Sequence, residues 1–127
     1  MIKRQTVAGV RVPPGQGAQL VSPIEVLVVP RGPLYVWGHT APDTGDGGVG
    51  RWESWLTRNG VEVVGSRRGR DLLSFMEGTL VVVAELVGVS AGDVIGMNGA
   101  TAVGLANVIH YNFEAWLWVF GDGFQGA

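Results

Sequence analysis

The chain has no cysteine, one lysine, two histidines and few charged residues of either sign, 16% in all. Without cysteine there can be no disulfide, thiolate zinc site, iron–sulfur cluster or cysteine nucleophile. Soluble monomers average about 25% charged residues, so solvating groups are scarce, and mean hydropathy is +0.26. Long apolar runs are also missing. Leu80 to Val89 is broken by Glu85 and Gly88, and Ala115 to Phe120 is short, whereas a membrane-spanning helix needs roughly 20 apolar residues. Met1-Ile2-Lys3-Arg4-Gln5-Thr6 carries positive charge with no apolar segment behind it, so no signal peptide is readable. No membrane span is expected. The composition instead fits a subunit that hides much of its surface against partners.

Basic character is missing too. A net charge of −2 and a pI near 5.6 exclude the electrostatic footprint of a nucleic-acid-binding domain. Arg67, Arg68 and Arg70 beside Asp71 form a small basic cluster, expected in a solvated loop. Arginine is the cation that interfaces tolerate, because its planar guanidinium is weakly hydrated and stacks on aromatic rings. High genomic GC content would produce the same preference over lysine.

What the chain does have is 127 residues, 21 glycines and five tryptophans. That length suits one domain, spanning 1–127 with residues 1–5 free to form an arm, and buries roughly two-thirds of its unfolded surface. No window of helical periodicity escapes a glycine or proline. Short runs of Val, Leu, Trp and Tyr between Gly, Pro and Asn predict strands near Thr6–Val12, Ile24–Val29, Leu34–Gly38, Arg51–Arg58, Val61–Ser66, Gly78–Val87, Asp93–Met97 and Val108–Phe120. About eight antiparallel strands give an all-β sandwich or barrel. Pro13–Gly17 reads as a turn or short linker, and Pro42–Gly50 as a glycine-rich loop at one tip.

Asn59-Gly60 supplies the positive φ angles of a type I′ turn. The two-residue loop sets Arg58 opposite Val61, Thr57 opposite Glu62, Leu56 opposite Val63 and Trp55 opposite Val64. One face then carries Trp52, Leu56, Val61 and Val63 and reads as core. The other holds Trp55 and Val64 among Glu53, Thr57 and Glu62. In the last strand, alternation puts Ala115, Leu117 and Val119 on one face and Trp116, Trp118 and Phe120 on the other. Both faces are apolar, where a sheet with one wet face would have a polar set. This strand is either covered on both sides within the domain or buried against another chain, where three aromatics would contribute several kcal/mol at about 25 cal/mol per Å². Trp55, Val64, Trp116, Trp118 and Phe120 are therefore the candidate interface residues.

Constellations for chemistry are thin. His39 precedes Asp43 and Asp46, but a calcium loop needs more alternating oxygens and a closing carboxylate, and no Glu follows before Glu53. His110 has no ligand-type neighbour at a suitable spacing and reads as a hydrogen-bonded strand histidine. None of Ser22, Ser54, Ser66, Ser74 or Ser90 stands in a nucleophile elbow. Glu25, Glu53, Glu62 and Glu85 alternate as outward strand positions do, although carboxylates distant in sequence can still pair in space. Gly15-Gln16-Gly17-Ala18 lacks the Lys-Ser/Thr of a phosphate loop. Two distant histidines do not make a cupin-type metal centre. The expectation is a non-enzymatic protein with no catalytic residue, cofactor or metal.

The hairpin Arg51–Val63, the later Leu80–Leu86 strand, the turn Ala91-Gly92-Asp93-Val94 and the aromatic final strand together resemble the small jelly-roll domains of C1q and tumour-necrosis-factor type. Similar domains occur in minor tail, fibre and decoration proteins of tailed bacteriophages. The resemblance spans Thr6 to Phe120 and lacks the C1q calcium-site acids and most of that family's aromatic framework, so no functional residue is carried over. It implies a jelly-roll β-sandwich and a structural virion protein, assembled in the host cytoplasm, forming a trimer or ring with other virion proteins as partners. The alternative from a different class is a carbohydrate-binding module for host cell-envelope glycan, since exposed tryptophans stack on sugar rings.

Overall fold

The computed structural model describes residues 2–7, 17–43, 50–72, 79–101 and 112–121. Its strands are β1 (Ile2–Val7), β2 (Gly17–Gln19), β3 (Ile24–Glu25), β4 (Leu34–Asp43), β5 (Gly50–Arg58), β6 (Val61–Glu62), β7 (Arg68–Leu72), β8 (Leu80–Leu86), β9 (Val94–Thr101) and β10 (Asn112–Phe120). One sheet runs β1-β10-β4-β8, and the second is built on β2-β9-β5-β6, with β3 also on β9 and β7 also on β5. All pairings are antiparallel. β2 and β3 follow one another along one flank of the second sheet, and β6 and β7 along the other. The ten strands thus fill eight lanes, four per sheet. The fold is an all-β jelly-roll sandwich.

Several boundaries differ from expectation. The first strand begins at Ile2 and pairs with β10, so residues 2–5 are no arm. The basic cluster is no loop: Arg68–Leu72 forms β7, pairing with β5 from Gly50↔Leu72 to Ser54↔Arg68. Its residues have little intrinsic strand preference, and tertiary pairing overrides that. The hairpin register holds as read for Thr57↔Glu62 and Arg58↔Val61, and Val63 N–H still donates to the Leu56 carbonyl at 2.9 Å. There the strand stops. Gly65 turns at φ 82°, and Ser66 N–H donates back to the Val63 carbonyl at 3.1 Å, so Val64 never comes opposite Trp55.

The core lies between the sheets. Leu34, Val36, Val82, Leu86, Ala115, Leu117 and Val119 point in from the first sheet, meeting Trp52, Leu56, Ile95, Met97 and the Leu20–Val26 segment. Trp52 spans the gap: its Nε1–H donates to Thr40 Oγ1 at 3.1 Å, between fully buried side chains of opposite sheets. Its ring needs the space over Gly99, where a Cβ would stand 2.6 Å from Trp52 Cζ2 and 2.9 Å from Leu20 Cδ1.

Candidate functional site

The outer face of the first sheet is aromatic. β4 and β10 are its central strands, and their register sets Phe120 opposite Tyr35, Trp118 opposite Trp37 and Trp116 opposite His39. On the far side of β4, Glu85, Val83 and Val81 of β8 continue these rows. On β1, Lys3 and Gln5 occupy the register positions beside Trp118 and Trp116. Adjacent strands lie about 4.7–4.9 Å apart, so flat rings at directly opposite positions meet face to face. Trp37 and Trp118 stack with centroids 4.7 Å apart, and His39 and Trp116 at 4.9 Å.

Alternation along β10 is as the sequence indicates: Ala115, Leu117 and Val119 are wholly buried, while Trp116 and Trp118 are half-buried. Phe120, Trp37, Tyr35 and Val83 are 39%, 38%, 54% and 55% exposed. No described element covers this face. Tyr35 and Trp37 belong to it although the sequence reading did not single them out. Their signal was available in the Leu34–Gly38 strand, where Tyr35 and Trp37 alternate with Leu34 and Val36.

The two remaining interface candidates stand elsewhere. Trp55 lies on the other sheet and is 9% exposed, because the chain covers it with its own Arg67, whose guanidinium carbon sits 3.8 Å from the ring centroid. Arg67 is held there by Glu53 at 2.8 Å and by a closer pair with Glu62. The hydrogen bond to Glu62, ahead of that to Glu53, raises its pKa above the ordinary arginine value. Val64 sits in the turn, 97% exposed and away from Trp55.

A second polar cluster locks one end of the sandwich. The Asp93 carboxylate accepts from Asn59 Nδ2 at 3.0 Å, from Ser90 N–H at 3.0 Å and from Arg58 Nη2 at 2.8 Å. These bonds, that from Asn59 first, lower its pKa from 3.8 to about 2. Arg58 also donates to the carbonyls of Val87 and Gly88. The Asn-Gly hairpin and the Gly-Asp turn, read separately in the sequence, are thereby tied together.

Catalytic geometry does not gather among the described residues. No three His, Asp or Glu side chains cluster there. His39 stacks within the aromatic face, while Asp46 and His110 lie outside the described residues. Ser54 and Ser66 are buried, their hydroxyls donating to the carbonyls of Asn98 and Val63, and Ser22 and Ser90 are exposed. Ser74 is outside the described residues. Among the described residues no helix is long and apolar enough to cross a membrane.

No protein-family model matches the sequence, and a search of curated proteins finds no match. Distant likenesses to solved structures are found. The PRD1 vertex protein P5 superposes with a TM-score of 0.52 at 12% identity, covering 91% of this chain and 70% of its own. The globular domain of zebrafish complement 1qA gives a TM-score of 0.47 at 12% identity, covering 94% of this chain and 96% of its own. The C-terminal domain of EclA, a sugar-binding protein, gives 0.45 at 11% identity, covering 94% and 77%. At 12% identity the likeness to the vertex protein is one of fold.

Proposed function

We propose that the protein is a non-enzymatic structural subunit of a tailed-bacteriophage particle, in a minor tail, tail-tip or decoration position. It would assemble with copies of itself and other virion proteins through the outer face of the β1-β10-β4-β8 sheet. The observation that carries the reading is the aromatic block of Tyr35, Trp37, Trp116, Trp118 and Phe120 on the paired strands β4 and β10, which no described element covers. An exposed apolar patch of this kind marks an interaction surface on a soluble protein, and aromatic residues are enriched in interface cores. Low total charge points the same way, as does the jelly-roll fold shared with a vertex protein.

The stacking favours a protein partner over a sugar. A tryptophan that binds a sugar ring presents an open face, but Trp37 and Trp118 each give one face to the other. Multi-angle light scattering at micromolar concentration tests self-assembly, with an oligomer expected and a stable monomer removing that half of the reading. Tryptophan fluorescence with host-envelope glycan tests the alternative. A saturable shift would replace the structural reading with a carbohydrate-binding one.

A further inference from the structure

One corner of the aromatic face is a shallow depression of ≈ 520 Å³ lined by Tyr35, Trp37, Val83, Glu85 and Phe120. Its walls are apolar except for the Tyr35 hydroxyl and the Glu85 carboxylate, carried by residues that are register partners on β4 and β8. Glu85 is exposed and has no ion-pair partner among the described residues. An aromatic floor with one carboxylate at its rim suits a planar cation, which gains from the ring quadrupole and from a charge-assisted hydrogen bond.

The same chemistry is already occupied on the opposite sheet, where Arg67 lies over Trp55 and is held by Glu53 and Glu62. We infer that the Tyr35–Trp37–Phe120–Glu85 depression receives an arginine side chain from another protein, its guanidinium over the rings and paired with Glu85. Charge complementarity names the partner chemistry, and the chain's own arginines whose side chains are described are committed. Arg51 pairs with Glu53 and Asp71, Arg58 with Asp93, and Arg67 with Glu53 and Glu62. Arg68 and Arg70 donate to backbone carbonyls, and Arg31 is engaged as well. A sugar would need several converging hydrogen-bond groups, and the depression offers two. This inference deepens the proposed function, since it rests on reading that face as a contact surface.

The test titrates the full chain with N-acetyl-Ala-Arg-Ala-amide and with the same tripeptide bearing citrulline, isosteric but uncharged. The readout is the indole N–H signals of Trp37 and Trp118 by NMR. Light scattering on the same sample defines its assembly state. The arginine peptide should shift the Trp37 signal saturably, and Glu85→Gln, an exposed change checked for an unaltered melting temperature, should weaken binding roughly tenfold. Equal response to citrulline, an undiminished response in Glu85→Gln, or a response to neutral oligosaccharide alone overturns the inference. An unresponsive wild-type protein does so too, whether the depression is closed by a second copy or open and indifferent. An oligomer without arginine binding removes only this inference, whereas a monomer that binds the peptide removes only self-assembly.

Discussion

The side-chain amide of Asn59 bonds to the turn around Asp93 from both its ends: Nδ2 donates to the Asp93 carboxylate at 3.0 Å, and Oδ1 accepts from Val94 N–H at 2.9 Å. Asn59 also occupies the left-handed region at φ 53°. It therefore acts as a turn former and as a tie between two loops.

Substitutions at this position separate the two roles. Asn59→Gly should keep the turn and lose the tie, whereas Asn59→Ala should lose the tie and add left-handed strain of roughly 1–2 kcal/mol. Urea denaturation should rank wild type above Gly and Gly above Ala. Equal stability of the two variants would contradict the strain.

Asp93 makes folding acid-sensitive in a defined window. Its folded pKa is lowered to about 2, against about 3.9 in an unfolded chain, so the unfolded state binds more protons between those values. The contribution of Asp93 is complete above about pH 4 and disappears as pH falls towards 2. Melting temperatures measured from pH 6 to pH 2 should fall less steeply for Asp93→Asn than for wild type in that interval, from a lower starting value. Parallel curves would show that Asp93 is not the sensitive group.

Gly99 is the gap into which Trp52 fits. Gly99→Ala places a methyl group against Trp52 Cζ2 and Leu20 Cδ1 in a filled core, and overpacking of this kind costs about 1–3 kcal/mol. The displaced indole should also lose its bond to Thr40. Chemical denaturation gives the loss, and a shifted Trp52 indole N–H resonance gives its cause.

Adjacent residues of β10 should respond in opposite ways. Leu117→Ala empties a fully buried position and should destabilise by about 2–5 kcal/mol. Trp118→Glu puts charge on the outer aromatic face and should leave a folded chain whose sedimentation coefficient falls to that of a monomer. Unfolding of Trp118→Glu would move this residue from contact surface to framework.

Arg67 shields Trp55, and Arg67→Ala should move tryptophan emission to longer wavelength as water reaches that ring. An exposed cation–π contact contributes about 0.5–1 kcal/mol, so the denaturation midpoint should fall only slightly. Unchanged emission would mean that other groups cover Trp55.

Local rules made part of this structure legible. Asn59-Gly60 set the hairpin register through Thr57↔Glu62, and alternation in Ala115–Phe120 assigned inner and outer faces. Non-local and turn geometry decided the rest. Gly65 bends the chain before Val64 can meet Trp55, and Arg67 is brought back over that ring by Glu53 and Glu62. β7 is a strand because β5 needs a partner, although Arg68-Gly69-Arg70-Asp71 has little strand character of its own. Likewise Tyr35 and Trp37 became part of the aromatic face only when β10 was placed beside β4, an adjacency that no local window reveals.

That adjacency also orders events during synthesis. Trp37 leaves the ribosome long before Trp118, and β10 must pair with β4 before the stack exists. Pairings between segments this far apart in sequence form slowly because the intervening chain must first be ordered. A nascent chain that has not yet reached Asn112 therefore carries only the β4 half of the aromatic face. Because β10 lies between β1 and β4 and supplies Ala115, Leu117 and Val119 to the core, the aromatic face is completed only together with the first sheet itself.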